Sequence, residues 1–501
     1  MTDFGYYIFV DLDQIKSPLP PRRIVERTPD PEEVSENRSN LVSEPILSPM
    51  KPKEKIKLKT WHWIVIGVGI LVLVIILALT VFKKKPVEQT VTLNYWGLWE
   101  DNTIINSVIS DFEAKNPNIK INYVRSVRSD YRTRLTGRLA KNSAESTSNV
   151  DIFRYHNTWV PMLRDYLEPV PTETVNSIGL ESDFLDVYKS DLKEGNKWLG
   201  VPLMYDGLAL FYNKTLLEAA KVDVPKGWWE LEKAAIKLTE KDEDGVIKVA
   251  GAALGITNGN VDHWSDIVGL MTKQNGIDFS KSLNTTKNLE DALKYYASFT
   301  HSSSKVWDDT LPNSTNLFAS GKLAFYFAPS WRVFDLEKLN KDLKYGITTV
   351  PQLPINGDIT AENTELTDIH WASYWTEGVS NTSQHKEAAW KFLTYLSSSE
   401  VLEKLYTAES QVRSFGEIYP RKSMTDKLKN NDKVWPFVSV ANKASSWYLA
   451  SETGDDGVNT EMQKYFANAV DGVVKEGDTT ETMTTLKNGI SQLQQKYSLK
   501  K

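Results

Sequence analysis

No cysteine occurs in the 501 residues. Its absence excludes disulfide frameworks, cysteine-ligated zinc or iron–sulfur centres, cysteine nucleophiles and the acylated-cysteine anchor of many bacterial surface proteins. Basic residues are in slight deficit, 59 against 65 acidic ones, with a formal net charge of −6. Nucleic acid as the main partner would call for a basic surface. Histidine is scarce: His62, His156, His263, His301, His370 and His385 never fall in the HExxH spacing of a zinc hydrolase. There is no GxSxG elbow and no dinucleotide fingerprint after the first strand, and Gly321-Lys322 lacks the upstream glycine and following hydroxyl of a phosphate loop. No cofactor is therefore expected. What is present is ordinary globular composition, 41% hydrophobic and 25% charged, which excludes a wholly disordered chain. The length is roughly three domains' worth. Two features stand out: 16 tryptophans and one very apolar run.

That run, WHWIVIGVGILVLVIILALTVF, spans residues 61–82 without a formal charge. At ~1.5 Å per residue a helix of this length reaches about 33 Å, enough for a ~30 Å hydrocarbon layer. Trp61 and Trp63 suit an interface, and Lys83, Lys84 and Lys85 close the run. A soluble core helix would carry a polar stripe, and a cleaved signal peptide would have a shorter apolar run and no 60-residue forward segment. The reading is a retained single-pass anchor. Five lysines from Lys51 to Lys59 against three after the run favour a cytoplasmic N-terminus and an extracytoplasmic C-terminal region at the cell membrane. Residues 1–60, with eight prolines, ten acidic and ten basic residues, read as a disordered cytoplasmic segment.

Residues 86–501 alternate strand and helix signals. VTLNYW (91–96) has period two, and Ile104, Ile105, Val108, Ile109 and Phe112 then mark a helical stripe that Asn116-Pro117 ends. IKINYV (119–124) and VDIF (150–153) follow as strands, an order that implies an α/β fold with a largely parallel sheet. LALFYN (208–213), LAFYFA (323–328) and YGITTV (345–350) are further strands, and WWELEKAAIKLT (228–239) a helix. Asp242, Glu243 and Asp244 lack calcium-loop spacing and read as a solvated turn. The C-terminal part is helical, with Trp390 on an apolar stripe and so in the core.

Fourteen tryptophans follow the apolar run, and Trp96, Trp99, Trp159 and Trp331 sit where strands end. In open α/β sheets, ligands bind beyond the carboxyl ends of strands. Flat rings beside Glu100, Asp101, Asn157 and Asp206 suit a sugar, whose C–H faces stack while its hydroxyls need partners. The alternative is that the rings fill a core. Glu100 and Asp206 are also the first carboxylate pair to consider for glycoside hydrolysis.

An ordered series of segments, VTLNYWGLWE, NVDIFRYHNTW, VPLMYDGLALFYNK, LFASGKLAFYFAPSW and HWASYWTEGVSNTSQHKEAAWKFLTYLSS among them, resembles extracellular solute-binding protein family 1, the maltose-binding-protein-like carbohydrate receptors of ABC transporters. The resemblance runs over roughly 88–500. It implies a two-lobe periplasmic-binding-protein type II fold with hinge-crossing strands, lobe 1 covering about 88–205 and 367–398 and lobe 2 about 206–366 and 399–500. It implies a ligand cleft formed by Trp99, Glu100, Tyr155, Asn157, Tyr205, Asp206, Trp264, Trp331, Tyr374, Trp375, Arg421 and Trp447. In it Trp99, Trp331 and Trp447 would be stacking platforms. Arg421 reads equally as an ion-pair member. The implied partners are a mono- or oligosaccharide, an ABC permease and, through residues 61–82, the lipid bilayer. The implied function is delivery of bound sugar without catalysis. A membrane-anchored glycosidase, or a surface receptor using the same fold, is the alternative.

Overall fold

The computed structural model describes residues 60–81, 90–143, 149–257, 259–279, 286–301, 305–355, 365–454, 456–475 and 479–499. The expectations for residues 1–59 and for Lys83–Lys85 lie outside these. The chain divides into two compact units, residues 1–85 and 86–501. In the first, Thr60–Val81 is a 22-residue helix whose side chains are described as far as residue 75, and these apolar side chains are exposed. Among the described residues no helix is long and apolar enough to cross a membrane.

The second unit contains two five-stranded sheets. The first has the order Ile119–Arg125, Val91–Gly97, Ile152–His156, Trp375–Ser380, Leu167–Glu168. Its first three strands are parallel, as the alternating strand and helix signals predict, with Tyr95 beside both Tyr123 and Ile152. Trp375–Ser380 enters antiparallel, aligning Glu377 with Arg154. Leu93 and Tyr95 point inward, and Ile105, Val108, Ile109 and Phe112 of the helix Asn102–Lys115 cover the sheet; Asp101 caps that helix through the Thr103 N–H.

The second sheet has the order Tyr345–Thr348, Ala209–Asn213, Leu323–Ala328, Ile247–Ala252, Glu240–Lys241. Its central strand, LAFYFA, is buried at every position. It runs parallel to Ile247–Ala252 but antiparallel to Ala209–Asn213. The predicted turn is built by Asp242, whose Oδ1 accepts the N–H groups of Asp244 and Val246 at 3.1 and 2.8 Å. Trp390 is 4% exposed and belongs to the core.

The chain passes from the first sheet to the second between residues 168 and 209 and returns between 348 and 375. The two passages touch where Gly207 bridges Ala372 and where the Leu208 N–H reaches Trp371 O at 3.0 Å. A Cβ at position 207 would lie 2.4 Å from Trp371 O, so only glycine permits this approach. A third segment joins them, Ala444–Ser445 pairing parallel with His370–Trp371. The helix Ser399–Glu409 packs on Asn102–Lys115, beside the first sheet.

Candidate functional site

Where the two sheets face each other, a cavity of about 300 Å³ opens. Trp99, Arg128 and His156 reach it from the carboxyl ends of the first sheet's parallel strands. Trp331 and Phe334 reach it from beyond the end of Leu323–Ala328, and Ser373, Tyr374 and Trp375 cross between them. The placement is the one that open α/β sheets favour.

Indoles form much of the wall. Trp99 and Trp375 meet edge to face at 5.5 Å, and the Trp375 ring is held from behind by His156 and Trp159 at 5.2 and 5.1 Å. The buried Arg154 guanidinium lies 4.9 Å from the Trp99 ring. Trp331 is supported by the Arg332 guanidinium at 4.3 Å and by His263 at 5.7 Å, and unlike Trp99 and Trp375 it is not packed on the hydrophobic core.

Five carboxylates, Asp206, Asp266, Asp335, Glu417 and Glu452, give the cavity polar character. Asp206 is 5% exposed; its Oδ1 accepts from the Gly207 and Ser330 N–H groups at 2.7 and 3.0 Å, and its Oδ2 from the Ser330 hydroxyl at 2.9 Å. Burial pushes its pKa up to about 7, against the opposing pull of those hydrogen bonds. Glu417 accepts from Trp99 Nε1–H at 3.0 Å and from Arg413 at 2.9 Å. Arg413 also holds Glu409, whose pKa burial and the neighbouring Glu417 raise to about 7. At the rim Glu452 pairs with Arg128 and lies 3.9 Å from Arg332, joining the two sides of the cavity.

Of the twelve residues that the resemblance implied, the cavity brings together Trp99, Asp206, Trp331, Tyr374 and Trp375. The others have different surroundings. Glu100 is buried against Arg154, which also binds Glu377 at 2.5 Å. Burial opposes ionisation of both carboxyls, but Arg154 outweighs it at Glu100 and lowers that pKa, whereas at Glu377 burial prevails and the pKa is raised. Tyr155 is fully buried and donates to Leu199 O at 3.0 Å. Tyr205 is 2% exposed, its backbone N–H bonded to Ile418 O. Trp264 opens the helix Trp264–Gln274 and packs on the core. Arg421 is not at the cavity: it donates to Ser397 O, Ile178 O and Asp183, the ion-pair role that its sequence left open. Asn157 and Trp447 line a second cavity. Sequence reasoning missed Arg413 and Glu417. FGEIYPRKS, which contains Glu417, resembles a cleft segment of the family, but the resemblance singles out neither residue; contacts with Trp99 and Phe334 bring them to the site.

The model of the family described as bacterial extracellular solute-binding proteins matches residues 107–433, and the chain belongs to that family. Its members bind solutes and are not enzymes. The maltodextrin-binding protein MdxE of Bacillus subtilis is 23% identical over 340 residues, covering 61% of this chain and 75% of that protein. The sugar-binding protein MalE of Xanthomonas citri has the same fold, with a TM-score of 0.61 at 20% identity over 81% of this chain and 98% of that one. An ABC transporter solute-binding protein of Thermotoga lettingae, solved with α-D-tagatose bound, gives a TM-score of 0.59 at 19% identity, covering 80% and 99% of the two chains. These likenesses establish the periplasmic-binding-protein α/β fold.

Proposed function

We propose that this protein is a membrane-tethered receptor that binds a mono- or short oligosaccharide between two lobes and delivers it to an ABC-type importer. The observation that carries the reading is the cavity itself. Three indoles, Trp99, Trp331 and Trp375, stand around a space of about 300 Å³ beside the buried carboxylate of Asp206. Flat apolar plates next to fixed hydrogen-bonding groups match a pyranose, which has apolar C–H faces and equatorial hydroxyls. The sugars named for MdxE and for the Thermotoga protein agree with that class.

The proposed ligand residues are Trp99, Asp206, Trp331, Tyr374 and Trp375, with Glu417 and Arg413 added. The proposed lobes follow the two sheets, about 88–205 with 367–398, and about 206–366 with the C-terminal region. Because Ser399–Glu409 packs on Asn102–Lys115, that helix is better placed with the first lobe. A ligand touching both sides shifts the population toward a closed form by its differential affinity, and a permease would read that form.

The anchor is proposed from the uncharged run 61–82 alone; Thr60–Val81 is helical, but its side chains are described only to residue 75, and among the described residues no helix is long and apolar enough to span. The lysine excess before it supports a cytoplasmic N-terminus. A tether keeps the receptor at high effective concentration beside its permease.

A thermal-shift screen of the chain against mono- and oligosaccharides tests the ligand class. A specific sugar raises the melting temperature with concentration by mass action. Silence toward all sugars, with a shift for amino acids or peptides instead, overturns the reading.

A further inference from the structure

A second cavity, of about 340 Å³, shares no lining residue with the first. It contains Asn157 and Trp447, two residues that the family resemblance sends to the main cleft. We propose that it is a separate binding site for a single monosaccharide. The inference goes beyond the function proposed above, because it concerns a different cavity with different residues.

The walls specify the chemistry. Trp447 and Phe279 lie face to face at 3.7 Å and 9°, so the buried Phe279 backs one indole face and leaves the other for a guest. Opposite in character are the hydroxyl-bearing side chains Thr158, Ser190, Ser445, Ser446 and Tyr448, which also line the space. The Asp191 Oδ2 already accepts from Asn157 at 3.0 Å, from Ser446 at 2.7 Å and from Tyr374 at 2.7 Å, so it orients the polar wall. An anion is disfavoured, since Asp191 and Asp278 outnumber Lys273. An apolar guest is disfavoured by the hydroxyls. A neutral, hydroxylated ring with one apolar face meets every wall, and a cavity of this size lies in the range of small-ligand sites.

The site also touches the first one. Tyr374 lines the main cavity while its hydroxyl binds Asp191, and its backbone exchanges two hydrogen bonds with Asn157, at 3.0 and 3.3 Å. Tyr374 is thus one link between the two walls, and the 2.8 Å contact of His156 with Thr158 is another.

Ligand-observed NMR on the full chain in lipid nanodiscs free of glycoside detergent tests the proposal, with D-glucose, D-galactose and D-mannose titrated singly. Trp331→Ala weakens the main cavity, and Ser445→Leu fills the second one without touching the first. At least one monosaccharide should still bind to Trp331→Ala, and that binding should vanish when Ser445→Leu is added, while Ser445→Leu alone keeps the main-site affinity for maltotriose. If Ser445→Leu lowers the melting temperature, Trp447→Ala replaces it. Monosaccharide binding to Trp331→Ala that neither Ser445→Leu nor Trp447→Ala weakens overturns the proposal. So does a chain that binds maltotriose but no monosaccharide in the Trp331→Ala background, an outcome that leaves the main-site reading intact. Binding of no sugar at all overturns the main-site reading as well.

Discussion

Trp331→Ala is the sharpest probe of the proposed cleft, because Trp331 separates binding from folding. The ring is not part of the hydrophobic core, and its contacts include the Arg332 guanidinium at 4.3 Å and His263 at 5.7 Å. The Arg332 side chain is 14% exposed, so losing this partly desolvated cation–π contact costs about 1–2 kcal/mol, which the fold should survive. The loss of affinity is larger. One face is about a third of the ~200 Å² that an indole can bury, or roughly 70 Å². At ~25 cal/mol per Å² that gives about 1.7 kcal/mol. A ring-face contribution of ~0.5–1.5 kcal/mol, taken by analogy with aromatic pairs, brings the total to about 2–3 kcal/mol. The expected weakening is roughly 30- to 150-fold. Isothermal titration with the sugar found by thermal shift measures it, and a circular-dichroism melt checks the fold. Trp331→Phe should recover part of the loss. An affinity within about twofold of the parent, with an intact melt, would remove the stacking argument.

Other expectations follow from the same geometry. Asp206 has a folded pKa of about 7 against an ordinary 3.8, so the folded state holds a proton that the unfolded chain has released across that window. Stability should therefore rise as pH falls from about 8 to about 4, by up to roughly 4 kcal/mol, and be lost on the way back up. Glu409 contributes with the same sign, so the comparison of urea midpoints between parent and Asp206→Asn isolates the Asp206 part; identical pH profiles would show that Asp206 titrates normally. If Asp206 accepts a sugar hydroxyl as the carboxylate, sugar affinity should fall below pH ~7 in the parent and lose that dependence in Asp206→Asn. Arg154→Leu strands Glu100 and Glu377 in a buried site and should cost about 3–5 kcal/mol in urea unfolding; a cost below about 1 kcal/mol would mean that water reaches the cluster. Deleting residues 61–82 should move the chain from the membrane pellet to the supernatant after alkaline carbonate washing, and continued pelleting would argue against the anchor.

Much of the architecture was legible in one dimension. Period-two and helical stripes placed the strands Val91–Gly97 and Ile119–Arg125 and the helix Asn102–Lys115 within a residue or two, because burial on one face writes itself into spacing. The mixed direction of the second sheet was not legible: LAFYFA is buried on both faces, and a continuous apolar strand carries no sign of the direction of its neighbours. Strand-end indoles pointed to Trp99 and Trp331, and the family resemblance to Trp375, but the spacing could not tell Trp99 and Trp331 from Trp159, a strand-end tryptophan that is completely buried.

By itself, then, the sequence determined the elements, the class of the fold and the kinds of side chain available for a ligand, since these depend on local spacing and composition. The membership of the cavity was decided only in three dimensions. Glu100 faces Arg154 rather than the cavity, Arg421 is taken by Asp183, and Glu417 arrives from 318 residues away to hold the Trp99 indole. Such pairings depend on how two sheets are brought together by crossing segments, and chain separation leaves no local trace of them. The same closure places Asn157 and Trp447 in the lining of a second cavity rather than the main one.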